Sequence, residues 1–434
     1  MGLFGSRKKS EHGSAPPGAS AEITALIETG QVAEAVRRLR ADQTLSMADL
    51  ARVLGRLGEA SGAEILIEAA QGMQANPDDP RALYQLGYAC VDVGLDEVAI
   101  RPLRAGLRQG PNLGIVRELA LALQTSDRDA EAVEVLRAHD HLLQPWPDRY
   151  LVAHSQLLSG DIPGARATEA QLPPAGNDFE HAHKGLRRRL ARAESASRRS
   201  PMHHQDLRGW QYALTGTVLT SLSPHGFESM TGRWAYVGDS YERCALGIHR
   251  LRLALEAADR HPTRVCVLPD HNSLILGLAI SRMLQLPTAQ FDTSADALVV
   301  AYDLKEVDTD ILQALVERQP GQVLFEHASN WVDPAPISPD IATLVHQVVI
   351  PPWGEQLRVV GRETIQESAD ESPVEEIAAR IAGNAPVADV GDPGTPPDTD
   401  EVLSDFVANV RDTWLQGPRH RLLGRGPVRS SRFG

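Results

Sequence analysis

Cysteine and lysine are almost absent from this 434-residue sequence. Its three cysteines, Cys90, Cys244 and Cys266, lie far apart, lack CxxC spacing and sit inside apolar patterns. That excludes a disulfide scaffold or a cysteine-built zinc framework and reads as buried thiols in a reducing compartment, with no metal expected. Beyond Lys8 and Lys9 the only lysines are Lys184 and Lys305, arginine standing elsewhere, as in a GC-rich and bacterial genome. No apolar run approaches the roughly 20 residues of a membrane span, which excludes integral insertion. The formal net charge of −14 leaves no basic surplus to neutralise phosphates and excludes a general nucleic-acid binder. Neither a GxGxxG nor a GxxxxGK[ST] cradle is present, nor a GxSxG elbow, so no cofactor and no catalytic residue is assigned.

Gly2 and Ser6 in "MGLFGSRKKS" fit an N-acylation pattern followed by basic residues. In a bacterial protein this is not expected to be used, and cytoplasm is the expected location. Residues 1–19, rich in Gly, Ser and Pro, are expected to be disordered. From 20 to 195 apolar residues recur at three- and four-residue steps, with Gly or Asp-Pro breaking the runs, and strand-like alternation is missing. Residues 196–202 read as a linker.

A repeat runs through the helical part. In "PRALYQLGYACVDVGLDEVAIRPLRAGLRQGPN", from Pro80, Gly87 and Ala99 fall where two antiparallel helices would cross, and Gly94 breaks the chain between them. Blurred copies keep Gly30, Ala35 and Leu39, then Ala120, Ala132 and Leu136, then Gly160 and Ala165, and a further degenerate pair fits between 46 and 76. These residues resemble the tetratricopeptide repeat. The resemblance covers about 150 residues and implies an α solenoid of TPR-like helix pairs that docks another protein or peptide in a groove made by the first helices. Candidate groove residues are Arg81, Tyr84 and Tyr88 on the best copy and Tyr150 and His154 on a later one. Tyrosines offer large contact area at low entropy cost and a basic residue holds an acidic group. Packing between repeats is the alternative use of the same tyrosines.

Past Pro201 the pattern changes to strands alternating with helices, the mark of a three-layer α/β domain with a mostly parallel sheet, expected over 203–362. "WQYALTGTVLTSLSP" reads as β-rich, "PDIATLVHQ" as a helix and "VVIPPW" as the strand after it. Residues 363–434 read as a tail with one or two helices, a flexible acidic linker, "NAPVADVGDPGTPPDTD", and a basic disordered end.

In a parallel sheet a ligand crevice lies past the carboxyl ends of the strands. Those ends carry Asp239, "PDHNS" with Asp270, Asn272 and Ser273, then Asp292, Asp303 and "EH" at 326–327. Asp270 and Asn272 are equally good helix N-caps. The run from "LPDHNSLILGLAISRMLQLP" to "ALVVAYDLKEVD" loosely resembles the type I phosphoribosyltransferase fold over roughly 100 residues. Asp303 matches that family's acidic strand end, but Leu304 replaces its second acidic residue and no Thr-Gly pair follows, so the resemblance implies the fold without the activity. The reading is a protein-interaction scaffold carrying a non-catalytic α/β domain. The alternative is an enzyme or binder of a nucleotide- or sugar-phosphate-like small molecule, with the repeats as a targeting arm. His203, His204 and Asp206 in "MHHQD", and His225, lack the i,i+4 spacing of helical metal ligands and read as surface residues.

Overall fold

The computed structural model describes residues 18–77, 79–292, 296–360, 363–421 and 426–430. The acylation pattern and nearly all of the expected N-terminal disordered segment lie outside them. Two compact units are present, Met1–Gln144 and Pro145–Gly434. The sequence pattern had suggested a division at 196–202. It falls earlier because the helices after residue 145 pack with the α/β part, as described below.

The first unit is helical. Helices α1 (Ala19–Glu28), α2 (Val32–Ala41), α3 (Met47–Ser61), α4 (Glu64–Ala75), α5 (Pro80–Asp92), α6 (Asp96–Gln109), α7 (Leu113–Thr125) and α8 (Asp129–Ala138) pack as consecutive pairs. Ser46, Asp79 and Asn112 cap α3, α5 and α7 by accepting from the backbone N–H of Asp49, Arg81 and Ile115. Within each pair the chain reverses through one residue with positive φ, at Gly30, Gly62, Gly94 and Asp127. Glycine carries no Cβ penalty there, and aspartate tolerates the same region. With Gly160 in the second unit, these turn residues are spaced by 32, 32, 33 and 33 residues. The period is thus built into the backbone.

Five residues after each turn stands Ala35, Ala99, Ala132 or Ala165, all buried, where the paired helices approach. The second pair has Ile67 at this place, and a Cβ on Gly58 would lie 2.9 Å from it. The small residue has moved to the partner helix. In the third pair a Cβ on Gly87 would lie 2.6 Å from Leu103 Cδ2.

The second unit opens with α9 (Tyr150–Leu158), α10 (Ile162–Glu169), α11 (Asn177–Ala196) and α12 (Leu207–Thr215). The α12 segment is not the strand its aromatic and β-branched residues suggest. Leu207, Trp210, Ala213 and Leu214 recur at helical spacing into one buried cluster, Asp206 caps the start, and Gly216 at φ +81° ends it. Then come β1 (Val218–Leu219), α13 (Phe227–Met230), β2 (Trp234–Gly238), α14 (Tyr241–Ala257), β3 (Arg264–Val267), α15 (His271–Leu284), β4 (Thr288–Gln290), β5 (Ala297–Ala301), α16 (Thr309–Ala314), β6 (Val323–Asn330) and β7 (Ile341–Ile350). A two-stranded hairpin, β8 (Gln356–Val360) with β9 (Glu363–Glu367), precedes α17 (Val374–Gly383) and α18 (Asp400–Val410).

The main sheet is parallel, in the order β1-β7-β6-β5-β3-β4, with β2 also on β7. Strand β7 corrects the helix expected over "PDIATLVHQ". Its residues 341–346 are all buried, and it pairs on both sides, as a central parallel strand does without needing alternation. After β1 and β2 the chain runs through β3, steps outward to β4 and returns to β5 on the other side of β3. The reversal places a topological switch point between the carboxyl ends of β3 and β5.

The C-terminal segment is no detached tail. Ile377, Ala378 and Ile381 of α17 and Leu403, Phe406, Val407 and Val410 of α18 belong to the main hydrophobic core together with Trp414. The acidic linker is strapped down, with Asp398 bonded to Arg208 and Arg250 and Asp389 to Arg243. Arg419, in the basic end expected to be disordered, is fully buried against Asp340. Apolar periodicity marked these helices but not where they would dock. All three cysteines are free and buried. Among the described residues no helix is long and apolar enough to cross a membrane.

Candidate functional site

The polar residues expected at the strand ends form a chain of hydrogen bonds. Asp270, three residues past β3, is the N-cap of α15, its Oδ1 accepting from Ser273 N at 2.9 Å. Ser273 is fully buried, and its Oγ accepts from Tyr302 N at 2.9 Å. It therefore presents neither an exposed nucleophile nor an open helix end. Asn272 accepts from Trp353 Nε1 and donates to Glu306, both at 2.6 Å. Tyr302, the residue after β5, donates its hydroxyl to Asp239 Oδ2 at 2.8 Å. Ser273 and Asp239 are thereby joined through Tyr302, which sequence reasoning overlooked in favour of its acidic neighbour.

Asp239, just past β2, is the hub. Its Oδ2 lies 3.0 Å from His327 Nε2 and 3.3 Å from Cys244 Sγ, and its Oδ1 accepts from Ser240 N at 2.9 Å and Arg243 Nη1 at 3.3 Å. Burial works to raise this carboxyl, but His327 and Arg243 more than offset it and hold it at about 2. Burial, reinforced by Asp239, pushes the Cys244 thiol and the Tyr302 phenol well up, so both keep their protons. Arg243 also lines a cavity of about 300 Å³ with Ser221, Trp234, Arg250 and Thr343, roofed by Asp389 of the acidic strap.

Asp303 lies in a second cluster. It accepts from Lys305 N at 2.9 Å and stands 3.6 Å from His346 Nε2. Glu326 beside it accepts from Leu304 N at 2.7 Å, and burial, then the charge of Asp303, push its carboxyl up to about 8. The folded chain thus keeps a proton that the unfolded chain releases, and stability falls as pH rises from about 4.5 towards 8. Glu326→Gln keeps the acceptor for Leu304. It is expected to flatten a slope of up to ~1.4 kcal/mol per pH unit. Melting temperatures at pH 5 and pH 8 check this: the variant gains on the parent only at pH 8, and parallel curves contradict the assignment.

The groove candidates fall in both units. On α5, Arg81 and Tyr88 are exposed and Tyr84 half-buried, with the two tyrosine rings 6.1 Å apart. A Cβ on Gly114 of α7 would lie 3.6 Å from the Tyr84 ring, and burial followed by the charge of Glu118 raises the Tyr84 phenol. Tyr88 is 42% exposed and Leu121 of α7 41%. Tyr150 and His154 belong to the second unit, where Tyr150 stacks on His154 at 5.8 Å and on Trp146 at 5.7 Å. Burial, then Arg189, push His154 down to about 3, so it is an uncharged ring at neutral pH.

No family model matches this chain, and no curated protein matches it. Solved structures of MamA are similar to part of it. A substituted MamA variant is 21% identical, covering 35% of this chain and 91% of that one, with a TM-score of 0.23. MamA AMB-1 is 20% identical, covering 37% and 93%, with a TM-score of 0.23. Scores of this size establish no common fold.

Proposed function

We propose that the N-terminal unit is a tetratricopeptide-like solenoid that docks a partner protein, and that the α/β unit it carries is not catalytic. The observation that carries this reading is the face shared by α5 and α7. Arg81, Tyr84 and Tyr88 recur at steps of three and four on α5 and therefore lie on one stripe. Gly114, Glu118 and Leu121 do the same on α7, where a Cβ on Gly114 would lie 3.6 Å from the Tyr84 ring. Two tyrosines with a flanking arginine are of the residue types that dominate binding energy, and Leu121 adds exposed apolar surface beside them. The 32- to 33-residue return of the left-handed turn supports the repeat assignment. For the α/β unit, the support is that Asp239, Asp270, Asn272 and Ser273 are all engaged in internal hydrogen bonds at the strand ends.

The double variant Tyr84→Ala/Tyr88→Ala is expected to lose the proteins that co-purify with the parent chain while its circular dichroism stays the same. Unaltered capture would remove the groove assignment.

A second reading takes a small ligand in the α/β unit, at the cavity where Arg243 and Arg250 are already paired with Asp389 and Asp398. A melting-point screen of the full chain against nucleotides and phosphorylated sugars separates the two. The docking reading predicts no shift, and a shift abolished by Arg243→Gln would favour the ligand.

A further inference from the structure

Asp239 Oδ2 is crowded in a way that hydrogen bonding alone does not require. Three side chains, Tyr302, His327 and Cys244, converge on this one oxygen, although a carboxylate offers about four acceptor sites over its two oxygens. Among the described residues Asp239, Cys244 and His327 are the group of His, Cys, Asp and Glu whose ligand atoms all lie within 4.8 Å of one another. Cys244 Sγ and His327 Nε2 are 3.8 Å apart, Sγ and Asp239 Oδ2 3.3 Å, and Nε2 and Oδ2 3.0 Å.

Those three lengths can be set against a metal centre. Tetrahedral zinc with bonds of about 2.3 Å to sulfur and about 2.0–2.2 Å to nitrogen and oxygen places its ligand atoms about 3.6 Å apart for the sulfur pairs and about 3.4 Å for nitrogen and oxygen. The observed triangle departs from this by a few tenths of an ångström on each side. A point about 2.0–2.3 Å from all three atoms exists just outside their plane, where a tetrahedral ion sits relative to three of its ligands.

The scaffold also suits a fixed ion. The ligands come from three separate backbone segments: the end of β2, the first turn of α14, and β6. All three side chains are buried. Gly247, one turn beyond Cys244 on α14, lets the imidazole stand where it does, for a Cβ there would lie 2.9 Å from His327 Nδ1 and 2.8 Å from Thr343 Oγ1. Coordination through Nε2 puts the ring proton on Nδ1, which has no hydrogen-bond partner of its own. The second carboxylate oxygen keeps its bonds from Ser240 N and Arg243, the kind of outer support that orients a ligating carboxylate.

We propose that Asp239, Cys244 and His327 bind one zinc ion in the α/β unit. Binding releases the Cys244 thiol proton to solvent and displaces the proton that His327 Nε2 gives to Asp239, which leaves a charged ring or moves to Nδ1 of a neutral one; the divalent ion is then balanced by one thiolate and one carboxylate, with histidine neutral. Tyr302 donates to the shared oxygen at 2.8 Å, and among the described residues no fourth His, Cys, Asp or Glu joins the cluster, which leaves the fourth position to water. The sequence pattern did not announce this set. Asp239 and Cys244 are five residues apart and His327 is more than eighty residues further on, so only the fold brings them together.

The test uses the full chain, purified without chelator and without a histidine tag from zinc-supplemented culture. Metal analysis is expected to find about one zinc per chain. Exchange for cobalt(II) is expected to give a thiolate-to-cobalt absorption band, absent in Cys244→Ser. Chelator is expected to lower the melting temperature of the parent chain and zinc to restore it, a reading that needs no variant to fold. Three results would overturn the proposal: a chain free of zinc whose melting point ignores added zinc, another metal in its place, or zinc retained undiminished in Cys244→Ser/His327→Gln.

Discussion

Asp340→Ala is expected to destabilise the α/β unit by about 3–5 kcal/mol, the cost of leaving buried charges without their partner. Asp340 lies just before β7 and is fully buried. Its Oδ1 accepts from Arg318 Nε at 2.9 Å and Nη2 at 2.6 Å, and its Oδ2 from Arg419 Nε at 3.0 Å, Arg419 Nη2 at 2.8 Å and Leu324 N at 2.9 Å. One carboxylate thus ties the helix–strand turn before β6, the start of β7 and the C-terminal segment. Burial tends to raise this carboxyl, but the two guanidinium groups more than offset it and hold it at about 2. A lowered folded-state value contributes stability that is fully present above the unfolded value of 3.8 and is lost as pH falls towards 2. Denaturant titrations of parent and Asp340→Ala at pH 7 and pH 3 check both parts. The gap between them is large at pH 7 and narrows in acid. An equal gap at both values would mean that the pairing is not what stabilises this corner.

Gly87→Val is expected to cost about 3 kcal/mol or more, at the upper end of what overpacking a core does. The new Cβ alone would come within 2.6 Å of Leu103 Cδ2, and Leu103 is fully buried with no direction in which to yield cheaply. Either α5 and α6 move apart or the leucine leaves its rotamer. Gly72 supplies the contrast within the same unit. It is helical too, but the nearest atom a Cβ would meet is Gln85 Oε1 at 4.0 Å. Gly72→Ala is therefore expected to stabilise by about 0.5–1 kcal/mol through helix propensity alone. Thermal melts of the two variants should move in opposite directions. A Gly87→Val chain that melts with the parent would show that close crossing is not what holds the helix pairs.

The helical pairs were legible because their constraint is local. Gly30, Gly94 and Gly160 sit at turns that need positive φ, and Ala99 with Leu103 falls at a crossing, so residue size and spacing suffice to find them. The second pair stayed blurred because Gly58 and Ile67 exchange the small and large positions. The first part of strand β7 was missed, although "VVI" at its end was expected as strand: alanine, leucine and histidine alternate there with Ile341, Thr343 and Val345, and burial on both faces removes the polar alternation that betrays a strand. Helix α12 was missed for the opposite reason: its aromatic and β-branched residues imitate a strand, while the buried cluster they join is set by tertiary packing. The polar strand ends were readable through Asp239, Asp270 and Asp303. Their use was not, since Tyr302, Cys244 and His327 meet Asp239 only once β2, α14, β5 and β6 are assembled.

The docking face on α5 is the central claim, and affinity measures it directly. With a captured partner purified and its dissociation constant measured by calorimetry, replacing both Tyr84 and Tyr88 by alanine is expected to weaken binding by about a hundredfold or more, as two hot-spot side chains do. An unchanged constant, with the helical spectrum intact, would contradict the account.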